Sequence, residues 1–173
     1  MKIFIDIGHP AHVHYFKNYI DLMEVKGHSF LITARDKECT YELLEEYGYS
    51  YRKRGKGKDN LLGKFFYLFY ANSKLLYHSL KFKPDFFLSF ASPYAAQIAK
   101  LTGKPHFAFD DTEHAKIAHK LYRPFTKKIF ISEFYMGKRD ANMEEYNGMI
   151  ELSYLNPKYF TPDPNIHNYL GIE

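Results

Sequence analysis

One short stretch of the sequence concentrates side chains that could do acid–base chemistry. Residues 110–114 (DDTEH) place Asp110, Asp111, Glu113 and His114 directly after an apolar run. Carboxylates this close together raise one another's pKa, which suits a general acid or base. A capping box is the structural alternative, in which Asp110 begins a helix and Glu113 returns a hydrogen bond to it. Because that alternative leaves Asp111 and His114 without a role, we expect at least one of the four residues to be functional.

A second polar stretch, residues 8–14 (GHPAHVH), places His9, His12 and His14 around the start of a predicted helix. Imidazoles at a helix N-terminus can bind a substrate hydroxyl or phosphate or act as a base, and loop packing and capping are the alternative. We predict no metal site, because His12 and His14 lie two positions apart and point to different sides of a helix. The loop has a single glycine, so it is not a dinucleotide-binding fingerprint.

A third polar stretch, residues 89–94 (SFASPY), contains a strong helix start. Ser92 can cap the first free N–H groups, and Pro93 is preset for the first helical turn. Ser92 and Tyr94 could also donate hydrogen bonds to a sugar or phosphate. We therefore include both among the candidate substrate-binding residues, together with His9, His12 and Asp110.

Alternating strands and helices must position these three stretches. The apolar runs predict six strands, at residues 2–7, 28–33, 49–52, 85–90, 105–109 and 128–132. Amphipathic stretches separate them, which predicts an α/β fold with a doubly wound, mostly parallel, Rossmann-like sheet of about six to seven strands. Ligands of such sheets bind at the carboxyl ends of the strands, where all three stretches would meet. We assign residues 1–150 to this domain and residues 151–173, which contain three prolines, to a linker or tail.

A run of cations precedes a markedly aromatic segment. The cations are Arg52, Lys53, Arg54, Lys56 and Lys58, and residues 61–70 (LLGKFFYLFY) follow. We favour a solvated loop followed by a helix that covers the sheet with Leu61, Phe65, Phe69, Leu76 and Leu80. The alternative is peripheral contact with a membrane, in which aromatics enter the acyl boundary and cations meet lipid phosphates. No nucleic-acid-binding module accompanies the run, so we expect no nucleic-acid partner.

Composition narrows the class of protein. The chain has 173 residues, of which 46% are hydrophobic and 25% are charged, with a formal net charge of +4. It has no run of about 18 apolar residues, as a membrane span needs, and its start lacks the apolar stretch of a signal peptide. Cys39 is its single cysteine and cannot form an internal disulfide. These features predict a cytoplasmic protein, with the inner membrane face as an alternative location.

Several strings, taken in order, resemble the family called domain of unknown function 354 (DUF354). They are IDIGHPAHVHYFK, GHSFLITARD, SPYAAQIAKLTGKP, FDDTEHAKIAHKL and YNG. Members of that family look like B-type glycosyltransferases, which have two Rossmann-like halves facing a cleft, and they are also similar to non-hydrolysing epimerases of UDP-N-acetylglucosamine. The resemblance implies that this chain is the amino-terminal, acceptor-binding half, and that it is inactive or poorly active alone.

The resemblance also implies how the work would be divided. A nucleotide-sugar donor would be a substrate held mainly by a second Rossmann-like domain, in cis or in trans, and a sugar or lipid-linked sugar would be the acceptor. No metal or other cofactor is expected. In an inverting transfer a base deprotonates the acceptor hydroxyl, for which Asp111 is the first candidate and His14 the second, ahead of Glu113 and His114. The alternatives are a non-catalytic binding or membrane-recruiting subunit and half of a sugar-nucleotide epimerase.

Overall fold

The computed structural model describes residues 1–58 and 60–171 of the chain. Seven strands form one sheet in which all neighbouring strands are parallel. They are β1 (Lys2–Ile7), β2 (Ser29–Asp36), β3 (Tyr51–Lys56), β4 (Phe86–Phe90), β5 (His106–Phe109), β6 (Lys128–Ser132) and β7 (Met143–Tyr146). The predicted doubly wound, Rossmann-like architecture is confirmed. The seventh strand, β7, lies where the polar sequence MEEY gave no strand signal.

Helices cover both faces of this sheet. They are α1 (Pro10–Val25), α2 (Thr40–Glu46), α3 (Leu61–Phe82), α4 (Pro93–Leu101), α5 (Lys116–Tyr122), α6 (Leu152–Leu155) and α7 (Ile166–Leu170). Strand β1 shows how the two layers arise, because alternate residues along a strand point to opposite faces of the sheet. Ile5 and Ile7 pack with α1 and α2 on one face, whereas Phe4 packs with α3 and α4 on the other.

The strand order is β3-β2-β1-β4-β5-β6-β7, so winding reverses between β1 and β4. The loops that follow these two strands therefore leave toward opposite faces and open a crevice at the carboxyl edge of the sheet. Both loops begin a helix as the sequence predicts. The side chain of His9 caps α1 by accepting from the Ala11 N–H, and the side chain of Ser92 caps α4 by accepting from the Ala95 N–H.

The inward face of α3 differs from the predicted one. Its buried stripe consists of Tyr67, Ala71, Leu75 and Ser79, spaced four residues apart. The predicted core residues Phe65, Phe69 and Leu80 are instead exposed, and the side chain of Leu61 lies outside the described set. The helix is apolar around much of its circumference, so hydrophobic spacing alone does not choose a face. Small residues at two buried positions allow α3 to approach α4 closely.

The predicted basic loop is largely strand β3, which corrects the interpretation of its cations. Arg54 is 2% exposed and pairs with a buried carboxylate, so it cannot contact a membrane. Lys53 points to the opposite face of the sheet, where its Nζ lies 5.0 Å from the ring centroid of Tyr41. Arg52, Lys56 and Lys58 remain exposed.

The end of the predicted domain also differs slightly from its boundary at residue 150. Helix α6 packs on α1, where the Asn18 side-chain amide donates to the Ser153 carbonyl at 2.7 Å and Tyr154 stacks on His14. The first residues of the predicted tail therefore belong to the domain. From residue 155 onward the described chain is exposed. Among residues 1–58 and 60–171, no helix combines the length and apolarity that crossing a membrane requires.

Candidate functional site

A sealed polar network lies directly beneath the carboxyl edge. Asp6 of β1 is 0% exposed and sits opposite Thr33 of β2 and Ser89 of β4. Its carboxylate accepts from the Thr33 hydroxyl at 2.7 Å, from Arg54 Nη1 at 3.0 Å and from the Ser92 hydroxyl at 2.5 Å. These bonds join β1, β2 and β3 to the start of α4. Sequence reasoning missed Asp6, although a carboxylate inside an apolar strand signals a buried partner.

Ser92 and Tyr94 belong to this supporting layer. The hydroxyl of Ser92 is used by Asp6 and by the α4 cap, so it is not free to bind a substrate. Tyr94 places its ring 4.3 Å from the guanidinium carbon of Arg54, as a cation–π contact. Burial raises the pKa of Tyr94, so its hydroxyl stays protonated and can donate. Of the two residues predicted from this loop, Tyr94 alone keeps an available polar group.

His9 and His12 share one tautomer at the start of α1. The Nδ1 of His9 accepts from the Ala11 N–H at 3.2 Å, and the Nδ1 of His12 accepts from the Gly8 N–H at 3.3 Å. Burial lowers the pKa of both imidazoles, to about 3 for His12. Each ring is therefore neutral near pH 7 and carries its proton on Nε2. Both histidines can donate a hydrogen bond at the edge, and neither is set up as a base.

His14 faces away from the other candidate residues. Its Nδ1 lies 2.9 Å from the Tyr47 hydroxyl, and its ring stacks on Tyr154 with centroids 5.3 Å apart. Burial lowers its pKa. The structure thus places the second predicted base between α1, the end of α2 and α6, where it packs the helices together.

Asp110 forms a second buried network rather than a capping box. Its carboxylate accepts from the Tyr122 hydroxyl at 2.5 Å and from Arg123 Nη2 at 3.0 Å, and lies 3.2 Å from Nε2 of His119. Its other oxygen accepts from the Thr112 N–H. The capping box that the sequence offered as the structural alternative does not form, because α5 begins at Lys116 without a side-chain cap. With these partners Asp110 fixes the turn after β5 and is not open to a substrate.

The other three candidate residues of this stretch, Asp111, Glu113 and His114, are exposed, and they differ in their hydrogen-bond partners. Asp111 accepts from the Thr112 hydroxyl at 2.9 Å, and its charge acts on His9, Tyr15 and Tyr146. Glu113 accepts from the Met136 N–H, and hydrogen bonds from backbone N–H groups lower its pKa, contrary to the expected rise. His114 is exposed and takes no part in the hydrogen bonds described for His9 and His12 at the start of α1. Asp111 is therefore the carboxylate that shares the edge with the histidines.

An apolar cavity of about 500 Å³ lies beside this edge, between α1 and strands β4–β7. Phe90 joins it to the polar loop, because the Phe90 ring stacks on His12 with centroids 4.8 Å apart. Tyr15 and Tyr146 also line the cavity, and burial together with the Asp111 charge raises the pKa of each to about 12. The two phenols therefore stay protonated next to the Asp111 carboxylate.

One further buried histidine, His106 at the start of β5, was not singled out from the sequence. Its Nε2 lies 2.9 Å from the Ser89 hydroxyl and its Nδ1 lies 2.8 Å from the Thr126 hydroxyl. Burial lowers its pKa to about 3. Because it lies at the amino end of its strand, it supports the sheet away from the site. Among the described residues, no three His, Cys, Asp or Glu side chains come together as metal ligands.

Comparison with known proteins adds a family and a fold. The family described as Protein of unknown function (DUF354) matches residues 1–173. Uncharacterized protein MJ0665 of Methanocaldococcus jannaschii is 28% identical over 99% of this chain and 53% of its own length. The chain thus spans about half the length of this curated relative.

Solved structures share the architecture at low identity. UDP-GlcNAc 2-epimerase from Methanocaldococcus jannaschii aligns with a TM-score of 0.71 and 13% identity, over 99% of this chain and 52% of that one. MurG from Acinetobacter baumannii aligns with a TM-score of 0.69 and 12% identity, over 83% and 45%. The glycosyltransferase SsfS6 from Streptomyces sp. SF2575 aligns with a TM-score of 0.59 and 14% identity, over 86% and 56%. At these identities the likeness concerns the fold alone, a Rossmann-like α/β domain that corresponds to about half of each of these chains.

Proposed function

Because this chain belongs to the DUF354 family and has the fold of half a B-type glycosyltransferase, we propose that it is the acceptor-binding domain of a sugar-transferring enzyme. It supplies one wall of the cleft, and a second Rossmann-like domain, in cis or in trans, supplies the other. The donor is a nucleotide sugar that the second domain holds. The observation that carries this proposal is the set of complementary groups at the carboxyl edge, where neutral imidazole donors stand beside an exposed carboxylate.

Asp111 is the proposed base. It is exposed, its one described side-chain partner is the neighbouring Thr112 hydroxyl, and its charge reaches His9 across the edge. An acceptor hydroxyl bound there would give its proton to the Asp111 carboxylate as its oxygen attacks the sugar carbon of the donor. The nucleotide would leave from that carbon on the side of the second domain. A single displacement of this kind would invert the configuration of the sugar carbon.

His9 and His12 are the proposed acceptor-binding donors. With Nδ1 of each ring occupied by a backbone N–H, the Nε2–H groups remain to bind oxygen atoms of a sugar or phosphate. The N-terminus of α1, a helix of 16 residues, adds a favourable field for negative charge. Because burial lowers the pKa of His12 to about 3, its imidazole is neutral throughout, and binding through its donor would not weaken as the pH rises from 6 to 8.

A titration followed by amide NMR shifts tests which half of the reaction this domain serves. N-acetylglucosamine 1-phosphate stands in for the acceptor headgroup, and UDP-N-acetylglucosamine for the donor. We expect the sugar phosphate to shift amides in residues 8–14 and 110–114, and the nucleotide sugar to bind no more tightly. If UDP-N-acetylglucosamine bound at the same residues at least tenfold more tightly than the sugar phosphate, the domain would be a nucleotide-binding half, as expected for half of an epimerase.

Matched variants locate the response. Asp111→Asn and His12→Gln should each weaken the sugar-phosphate shifts by about tenfold, since a hydrogen bond to a charged group contributes roughly 1.5 kcal/mol. Asp163→Asn removes a carboxylate from the exposed tail and should change nothing. An equal effect of Asp163→Asn and Asp111→Asn, which change the net charge by the same amount, would show that net charge, and not the edge, governs binding.

A further inference from the structure

The first half of α3 displays large apolar side chains to solvent on the other face of the sheet from α1. Phe66 is 68% exposed, and Leu62, Phe65 and Phe69 are similarly open. Ile117 of α5 lies beside them at 78% exposed. We call these five residues the α3 face. Single exposed apolar residues are normal on a protein surface, whereas a contiguous apolar surface of this kind marks an interaction site.

The core does not need the α3 face. The sheet and α4 are covered by the opposite stripe of the helix, Tyr67, Ala71, Leu75 and Ser79. Phe65 contacts its own neighbours Phe66 and Phe69, with ring centroids 6.0 and 4.9 Å apart. The aromatics of the α3 face therefore rest on one another at the surface.

Cations border this apolar surface. A groove of about 910 Å³ runs beside it, and Leu62, Phe65 and Ile117 line the groove together with Arg35, Lys58 and Lys64. No acidic side chain of residues 1–58 and 60–171 lines the groove. Apolar side chains edged by lysines match the boundary of a bilayer, where the apolar groups enter the acyl region and the cations meet phosphate.

We propose that the α3 face docks on a membrane surface that contains anionic phospholipids. The charge pattern favours lipid over a second copy of this chain. In a twofold dimer through this face, both copies would bring Lys58 and Lys64 to one interface, where no acidic side chain of the described groove lining would pair with them. An anionic lipid surface instead complements both the aromatics and the lysines.

The position of the α3 face gives docking a purpose. The groove that it borders also includes Gly57 and Tyr94, at the carboxyl edge of the sheet. A protein docked through the α3 face thus holds that edge at the lipid surface, within reach of an acceptor anchored in the bilayer. This last step rests on the proposed function, and it narrows the acceptor class to lipid-linked sugars.

Vesicle flotation of the full chain tests the docking. We expect binding to vesicles with 30% phosphatidylserine at low salt, because each lysine near an anionic surface raises the affinity about fivefold. Binding should weaken at high salt, because salt screens this attraction. The triple variant Phe65→Ser, Phe66→Ser, Phe69→Ser should lower binding by at least about tenfold. The double variant Lys58→Glu, Lys64→Glu should abolish the preference for anionic lipid.

A control variant separates this surface from exposed apolar residues in general. Val25→Ser, Leu101→Ser removes two exposed apolar side chains that are not part of the α3 face and should bind vesicles like the parent. Sedimentation velocity without lipid should give a monomer. Absence of parent binding to anionic vesicles at low salt, equal loss in the control, or a dimer broken by the triple variant would each overturn the proposal. Sugar-phosphate shifts in the triple variant should be unchanged, so the two proposals fail separately.

Discussion

Two buried carboxylates at the carboxyl edge, Asp6 and Asp110, have the same kinds of hydrogen-bond partner and differ in how far those partners are exposed to solvent. Each accepts from an arginine at 3.0 Å and from a hydroxyl at 2.5 Å. Around Asp6 the network is sealed, and Arg54 is 2% exposed. Around Asp110 it is partly open, because Arg123 is 12% exposed and also binds Asp140 at 2.9 Å.

The difference separates two structural tasks. The Asp6 network lies between strands that are far apart in sequence and holds the floor of the edge. The Asp110 network fixes the turn that leads into residues 111–114, and it faces solvent through Arg123. Neither carboxylate has a free position for a substrate, so the chemistry falls to the exposed Asp111 next to the second network. Two similar clusters thus serve as supports, and the less regular loop beside them carries the candidate site.

Removing the sealed charge should have the largest effect on stability. Asp6→Asn leaves the Arg54 guanidinium buried without a carboxylate, which costs about 3–5 kcal/mol. Urea unfolding at pH 7 measures this loss. The double variant Asp6→Asn, Arg54→Met removes both charges and should recover a large part of it. If the double variant were no more stable than Asp6→Asn, the ion pair would not be the main link.

Acid should lower the stability of the fold in part through His106, at the start of β5. Its pKa is about 3 when folded and 6.5 in an unfolded chain, so the unfolded state takes up the proton as the pH falls below 6.5. Stability from this residue is complete above pH 6.5 and is lost as the pH falls toward 3, by about 2–3 kcal/mol at pH 4.5. His106→Gln should show a smaller loss between pH 7 and 4.5 than the parent. An equal loss would contradict this account.

The open network should tolerate the matching substitution better. Asp110→Asn leaves Arg123 with Asp140 and the Tyr135 hydroxyl, so we expect a loss of about 2 kcal/mol, smaller than for Asp6→Asn. The same urea unfolding experiment gives this value. A loss as large as that of Asp6→Asn would show that exposure of Arg123 does not moderate the effect.

Salt should distinguish the two networks by the smallest effect. Screening reaches charges near solvent and not sealed ones. Raising the salt from 0.05 to 0.5 M should therefore reduce the loss for Asp110→Asn by a few tenths of a kcal/mol and leave that for Asp6→Asn unchanged. The reverse pattern would mean that the assignment of sealed and open networks is mistaken.

The sequence predicts much of the fold because its strands are short apolar runs bounded by glycine or proline. It also predicts the cap at Ser92, and it offers capping as one of two alternatives for the histidines of the first loop, because caps depend on neighbouring residues alone. The inward face of α3 could not be predicted, because both faces of that helix are apolar. The short strand β7 could not be predicted either, because it lacks an apolar run and its strand conformation depends on pairing with β6.

The candidate site was predictable in position and less so in detail. The loops after β1, β4 and β5 do meet at one edge, as the topology requires. Arg54 was misplaced because its partner Asp6 lies 48 positions away, and a pairing at that distance leaves no local pattern. Asp110 and Asp111 are adjacent in sequence, and packing with Tyr122 and Arg123 is what makes one a support and leaves the other exposed.

Consumption of a nucleotide sugar is the most direct test of the central claim. The chain is measured alone and with a second Rossmann-like half, supplied in trans or fused after residue 173, in the presence of a lipid-linked sugar. We predict no turnover by the chain alone, turnover with the second half, and loss of that turnover with Asp111→Asn. Robust turnover by the chain alone would contradict its role as an acceptor-binding half.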